Sequence, residues 1–282
     1  EIKNLVLILD FFKLYKFNDL ELIKIVLIQP NLIVKTENLK NILRYVDRVN
    51  NQMIIKNGSL LLSNKKSKIL SIDKFSFNNK NKEKIKLNSI IFGHKFNAIF
   101  LERRGKKNLT AIMPDFGFKT NVMFAENSSL DILKGKIEAK FLKNNLKFNF
   151  IKNDNLIISN SFFRNKLLQT TFDGTIETNP FFNFDLFFII KSINFTDLLN
   201  SDNIKNLLNV SDKAKKLNGK IKILYKKKNL ERSYVKNLSA SISSVNGLIK
   251  LNEITIHFPE AVINLEGDIS EYEGYKKFNF KI

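Results

Sequence analysis

Alternation of apolar and polar residues with a period of two is the feature that most constrains this chain. A β-strand sends successive side chains to opposite faces, so such a run describes a strand with one buried and one wet side. The pattern fills Ile69 to Phe77, Lys136 to Phe141 and Leu146 to Phe150. It returns in Phe184 to Phe187, Lys220 to Ile223, Ile254 to Phe258 and Phe278 to Ile282. The intervening segments are too short for helical crossovers, which favours antiparallel neighbours. The expected fold is mainly β: a long, curved antiparallel sheet, a groove or half-barrel, built as a meander.

Turn residues separate the runs: Asn57-Gly58-Ser59, Asn78 to Asn81, Asn144-Asn145, Asn153-Asp154-Asn155, Asp173-Gly174 and Asn246-Gly247. Asn and Gly tolerate the positive φ of tight hairpins. Two stretches depart from the period of two. Between Glu37 and Gln52, Leu39, Ile42, Leu43, Val46 and Val49 recur at helical spacing, with Thr36 or Asn38 as candidate caps. From Thr196 to Leu217 a second helical pattern runs, with Ser211-Asp212 opening a new segment inside it. A few short amphipathic helices packing on the sheet are therefore expected. The second stretch is the best divider, giving residues 1–195 as a first region and 196–282 as a second, or one continuous domain in a fragment of a longer protein.

The chain lacks most of the chemistry of catalysis. Cysteine is absent and only two histidines occur, His94 and His257, far apart. Neither has a spaced partner of the kind zinc needs. Asp115-Phe116-Gly117 spells a kinase metal triplet without the companion loops, and no phosphate loop or Gly-x-Ser-x-Gly elbow is present. Glu266, Asp268, Glu271 and Glu273 form an acidic cluster, but alternation puts Glu266 and Asp268 on the wet side of a strand. The expectation is a non-enzyme with no cofactor and no metal.

Lys and Arg number 47 against 27 Asp and Glu, a formal charge of +20. An anionic partner is one explanation. A genome rich in AT codons, which also enriches Asn, Ile and Phe, is the more economical one. Arginines are sparse, which weakens nucleic-acid recognition because Arg supplies the bidentate contacts. No apolar run is long enough for a transmembrane helix, so a membrane anchor would lie outside these residues.

The segment Ile25-Val26-Leu27-Ile28-Gln29-Pro30-Asn31-Leu32-Ile33-Val34, followed by Asn38-Leu39, resembles the AsmA family of bacterial envelope proteins. Its members show a strand, a Pro, a short strand, then Asn-Leu opening a helix. Ile54 to Leu62 looks like the family's hairpin, and the units around Gly174 and Gly267, the first ending in Asp197-Leu198-Leu199, resemble its later repeats. Many relatives carry Asp-Gly just before the Asn-Leu, where this chain has Thr36-Glu37. The resemblance implies a periplasmic protein held in the inner membrane, related to TamB and the bridge-like lipid-transfer proteins, with roles in outer-membrane biogenesis and phospholipid transport.

Composition agrees, with 26 Phe and no Trp in 282 residues. A sheet with one apolar face must bury it or offer it to a ligand. The candidate lining of a groove for acyl chains is Phe148, Phe150, Phe172, Phe184, Leu186 and Phe188. Phospholipid or another envelope lipid is the expected partner. A basic nucleic-acid-binding module, or a structural or adhesion β-repeat, are the alternatives.

Overall fold

The computed structural model describes residues 2–9, 22–38, 52–63, 68–81, 83–126, 128–129, 131–177, 182–198, 218–227, 235–245, 248–272 and 275–282. Nineteen β-strands account for most of them. The chain forms two compact units: Glu1–Asp131 with Ala139–Leu142, and Ile132–Glu138 with Lys143–Ile282. They divide near residue 132, well before the 195/196 boundary expected from the sequence.

Unit 1 holds β1 (Asn4–Leu9), β2 (Leu22–Ile28), β3 (Asn31–Lys35), β4 (Gln52–Ser63) and β5 (Lys68–Asn81). It continues with β6 (Lys84–Ile91), β7 (His94–Arg103), β8 (Lys106–Met113) and β9 (Phe118–Phe124), while β10 spans Leu133–Phe141. From β4 to β9 each strand pairs antiparallel with the next. Directly opposed residues share a face. One row therefore runs Leu27, Ile55, Phe77, Leu87, Ala98 and Ala111 across β2 and β4–β8.

Asn57-Gly58-Ser59 is not the expected turn. It lies inside β4, where Asn57 has φ 50 and the register with β5 shifts. The cause is the other neighbour of β4. There β2 and β3 follow one another along the strand, both parallel to it and interrupted by Gln29-Pro30. Proline has no N–H to give a ladder. Its carbonyl accepts from Ser59 N at 2.8 Å, and Gln29 N donates to Lys56 O at 2.8 Å. A Cβ on Gly58 would come within 3.0 Å of the Pro30 ring, so glycine makes room for it.

Unit 2 holds β11 (Asn144–Lys152), β12 (Asn155–Arg164), β13 (Leu168–Glu177), β14 (Asn183–Ile193) and β15 (Asn218–Lys226). It ends with β16 (Asn237–Val245), β17 (Leu248–His257), β18 (Val262–Tyr272) and β19 (Tyr275–Lys281). Sequential antiparallel pairing holds throughout except at β14–β15, which is parallel. The simple meander expected from the sequence is thus broken in both units. A parallel partner needs a connection of a dozen or more residues. Residues 194–217 supply that length between β14 and β15.

Further turn expectations shift. Asn153-Asp154 turns the β11–β12 hairpin as expected, with Asn153 Oδ1 accepting from Asn155 N at 3.0 Å. Asn144-Asn145 instead begins β11, the turn being Leu142-Lys143, and Asn78 to Asn81 completes β5. Asp173-Gly174 sits inside β13. Glycine is needed there because a Cβ would meet the Asp185 carbonyl of β14. Asn246-Gly247 lies outside the described residues. So do nearly all of the two expected helices; a 3-10 turn at Thr36–Asn38 and one helical turn at Phe195–Leu198 are described. Among the described residues no helix is long and apolar enough to cross a membrane.

Candidate functional site

Register sorts unit 2 into two unlike sides. One row of opposed residues runs Phe150, Ile158, Gly174, Leu186 and Ile221 across β11–β15. It continues through Ile242, Leu251, Gly267 and Phe280 to β19. A neighbouring row runs Phe172, Phe188, Ile223, Ala240, Ile254 and Leu265. The third includes Leu156, Ile176 and Phe184. All six residues expected to line a groove, Phe148, Phe150, Phe172, Phe184, Leu186 and Phe188, therefore share one side.

That side is also the sheltered one. Phe150, Ile158, Phe172, Tyr225 and Ala240 are buried, as are Ser161, Thr170 and Ser244, and every one of them lies on it. Its neighbours Phe148, Phe184, Leu186 and Phe188 are half-buried. Among the described residues the principal contacts of each strand are with its sheet neighbours. What is described over the apolar side is the helical turn Phe195–Leu198, whose Phe195 ring meets Tyr225 edge-on at 5.8 Å. Lys152, at the end of β11, is the charged residue on that side of β11–β17, and its ammonium turns to the carbonyls of Asn153 and Asp154.

A bulge keeps the side continuous. Between Lys147 and Asn149 of β11, β12 inserts an extra residue, and Asn160 takes φ 48. The bulge hands the apolar side from Ile158 to Ser161 and Phe163. A bulge leaves ladder groups unpaired. Here the Ser161 hydroxyl repairs them, donating to Phe172 O and accepting from Phe172 N. Because serine is small, Phe148 reaches past it to Phe172, ring centroids 6.3 Å apart. Phe172 in turn stacks on Phe188 at 5.3 Å. A second irregularity, between Gln169 and Thr170, places the Thr170 hydroxyl to donate to Ile189 O at 2.9 Å.

Glycines let aromatic rings lie on the backbone. A Cβ on Gly219 would strike the Phe184 ring, and one on Gly267 the Phe280 ring. Both rings cover bare backbone that water would otherwise reach. Sequence reasoning missed Ile158, Tyr225 and Ala240 on this side. The alternation Lys220 to Tyr225 carried the signal for Tyr225, but only pairing sets it opposite Ile190, on the side of Phe188.

The opposite side of unit 2 carries charges of both signs among exposed aliphatics such as Ile151, Ile157, Ile189 and Leu224. Asp185 faces Lys220, Lys250 faces Asp268 and Glu266 faces Lys281 across the strands. Asp268 also accepts from Asn279 Nδ2 at 3.2 Å. An open depression of about 700 Å³ over β17–β19 carries both Lys250 and Lys281 and both Glu266 and Asp268. Glu138 lies 2.9 Å from Lys136 and 3.6 Å from Lys147. Its carboxyl is held below the ordinary range, chiefly by the hydrogen bond from Lys136, against a smaller desolvation.

In unit 1, His94 Nδ1 lies 3.1 Å from Asp115 and its ring packs on Phe116. That ties a 3-10 turn to β7, with no nucleophile in the arrangement. No grouping of metal-ligating side chains exists among the described residues. No family model, no curated protein and no solved structure matches the chain.

Proposed function

We propose that this protein is a non-catalytic, AsmA-like envelope protein that shields lipid acyl chains on the apolar side of unit 2. The observation that carries the reading is that side itself: continuous over β11–β19, with one lysine on β11–β17 and, among the described residues, a single helical turn meeting it at Tyr225. Domains normally bury a sheet's apolar face under a second layer. A lining without hydrogen-bonding demands suits hydrocarbon. Apolar burial yields roughly 25 cal/mol per Å², or about 0.8 kcal/mol per methylene, so a few contacts hold a chain without a polar anchor. Phospholipid is the proposed ligand, and affinity follows chain length more than headgroup. The setting is the periplasm, with an inner-membrane anchor outside these residues and a part in outer-membrane biogenesis.

The test is lipid analysis of the purified chain, followed by the double substitution Phe184→Asp and Phe188→Asp. Loss of bound phospholipid with the β-sheet spectrum retained is the expected result. Ile189→Asp, on the opposite side of the same strand and exposed, leaves binding intact. A wild-type chain that carries no lipid and extracts none from vesicles overturns the reading.

A further inference from the structure

The polar side of unit 1 differs in kind from that of unit 2. On β6–β9 it carries Lys84, Lys86, Lys95, Arg103, Lys106 and Lys119, and no acidic residue. The register gives these cations neutral or like-charged partners. Lys86 faces Asn78 and Ile99, Lys95 faces Ile90, Lys119 faces Ile112, and Arg103 faces Lys106. All of them are exposed. Of the carboxylates nearby, Glu102 projects to the other side and meets Lys107 at 3.8 Å, and Asp115 holds His94. Asp73 shares this side on β5, separated from Lys95 by Ile90, and accepts from Ser71 Oγ at 3.3 Å. A genome-wide lysine excess would burden both units alike. In unit 2 Lys220, Lys250 and Lys281 face carboxylates, although Lys222 faces Phe187 and Ser241; on β6–β9 no cation of this side does.

We propose that this side of β6–β9 docks on an anionic phospholipid bilayer. The occupant is chosen by what stands between the charges. Ile90, Ile99, Leu101, Ile112 and Met123 interleave with the lysines, and Ile99 is 37% exposed. Lysines snorkel from aliphatic surface towards phosphate, which is the chemistry of an interfacial site. Single-stranded nucleic acid calls for aromatic platforms, and no aromatic residue lies on this side of these strands. Base reading favours arginine, and Arg103 is the single one on β6–β9. Juxtamembrane lysines act additively on an anionic leaflet, each worth several-fold in partitioning. The inference goes beyond acyl-chain shielding, because it concerns the other side of the other unit.

The experiment is flotation of the 282-residue chain with vesicles of phosphatidylglycerol mixed with phosphatidylcholine. Wild type floats with anionic vesicles, stays down with pure phosphatidylcholine, and is released near 1 M salt, where the screening length falls to about 3 Å. The triple substitution Lys84→Glu, Lys86→Glu and Lys95→Glu lowers partitioning at least about tenfold. The matched triple reversal in unit 2, Lys220→Glu, Lys250→Glu and Lys281→Glu, leaves it within about twofold. The variant Phe184→Asp/Phe188→Asp still floats, which separates headgroup docking from acyl-chain binding. If the triple variant loses its β-sheet spectrum, Lys86→Gln and Lys95→Gln singly decide, each lowering partitioning with the fold retained. Failure of wild type to float, equal losses from the unit 2 reversals, or displacement from vesicles by DNA at physiological salt would overturn the proposal.

Discussion

The two units share a one-sided design and differ in what each side is made of. In unit 1 the apolar side still bears charge, with Glu102 and Lys107 pairing on it, while every charge on the polar side of β6–β9 is positive. In unit 2 the apolar side is nearly free of charge and its phenylalanines touch across strands, while the polar side pairs opposite signs. The same alternation thus produces two surfaces. Alternation decides which residues share a side, but the choice of cross-strand partner decides whether charges are neutralised or accumulate.

The largest expected effect bears on the aromatic contacts. Phe172 and Phe75 are similarly buried, at 9% and 7%. Phe75 contacts Phe77 along its own strand, whereas Phe172 bridges Phe148 and Phe188. Phe172→Ala should cost about 3–5 kcal/mol in urea unfolding. It should exceed Phe75→Ala by about 1 kcal/mol, the worth of an extra aromatic pair. Equal losses would mean that the cross-strand stack adds nothing beyond burial.

A buried serine from each unit gives a sharper contrast. Ser161 is satisfied by the backbone of Phe172, while Ser89, on the apolar side of unit 1, has no hydrogen-bond partner among the described residues. Ser161→Ala leaves the bulge unrepaired and should cost about 2 kcal/mol. Ser89→Ala removes a desolvated hydroxyl and should be neutral or stabilising by about 0.5 kcal/mol. Thermal melts of the two variants moving in the same direction would contradict this assignment.

The smallest effect is electrostatic. Lys136 and Lys147 favour the charged form of Glu138, so its pKa is lower folded than unfolded. The stabilisation is present above the ordinary carboxylate range and is lost as pH falls through the lowered folded value. Since the site is largely exposed, Glu138→Gln should cost about 0.5 kcal/mol or less at neutral pH. The difference from wild type should vanish in acid. A difference that grows on acidification would reverse the sign and refute the pairing.

Much of this was legible in the residues, and the limits have physical causes. The strands around Leu146 to Phe150 and Phe184 to Phe187 were readable because a period of two has no other regular meaning. That Phe148 and Phe150 share a side follows from parity alone. Gly174 and Gly58 were misread as turns because glycine marks close backbone approach as readily as positive φ. Local sequence does not carry the neighbour that approaches. The parallel β14–β15 pairing was equally hidden, since pairing direction is fixed by a crossover and not by the strands it joins.

The sequence by itself determined that the chain is built of β-strands, and which residues of each strand go together, because side-chain alternation is a property of the extended backbone. The tertiary structure decided which strands are neighbours and where the register slips. The bulge at Asn160-Ser161 is the clearest case. A single extra residue exchanges the two sides of a strand, so Phe163 rather than Phe162 joins Leu146 on the apolar side. Only pairing with β11 and β13 fixes that choice, because it sets where the unpaired backbone groups fall and lets the Ser161 hydroxyl satisfy them.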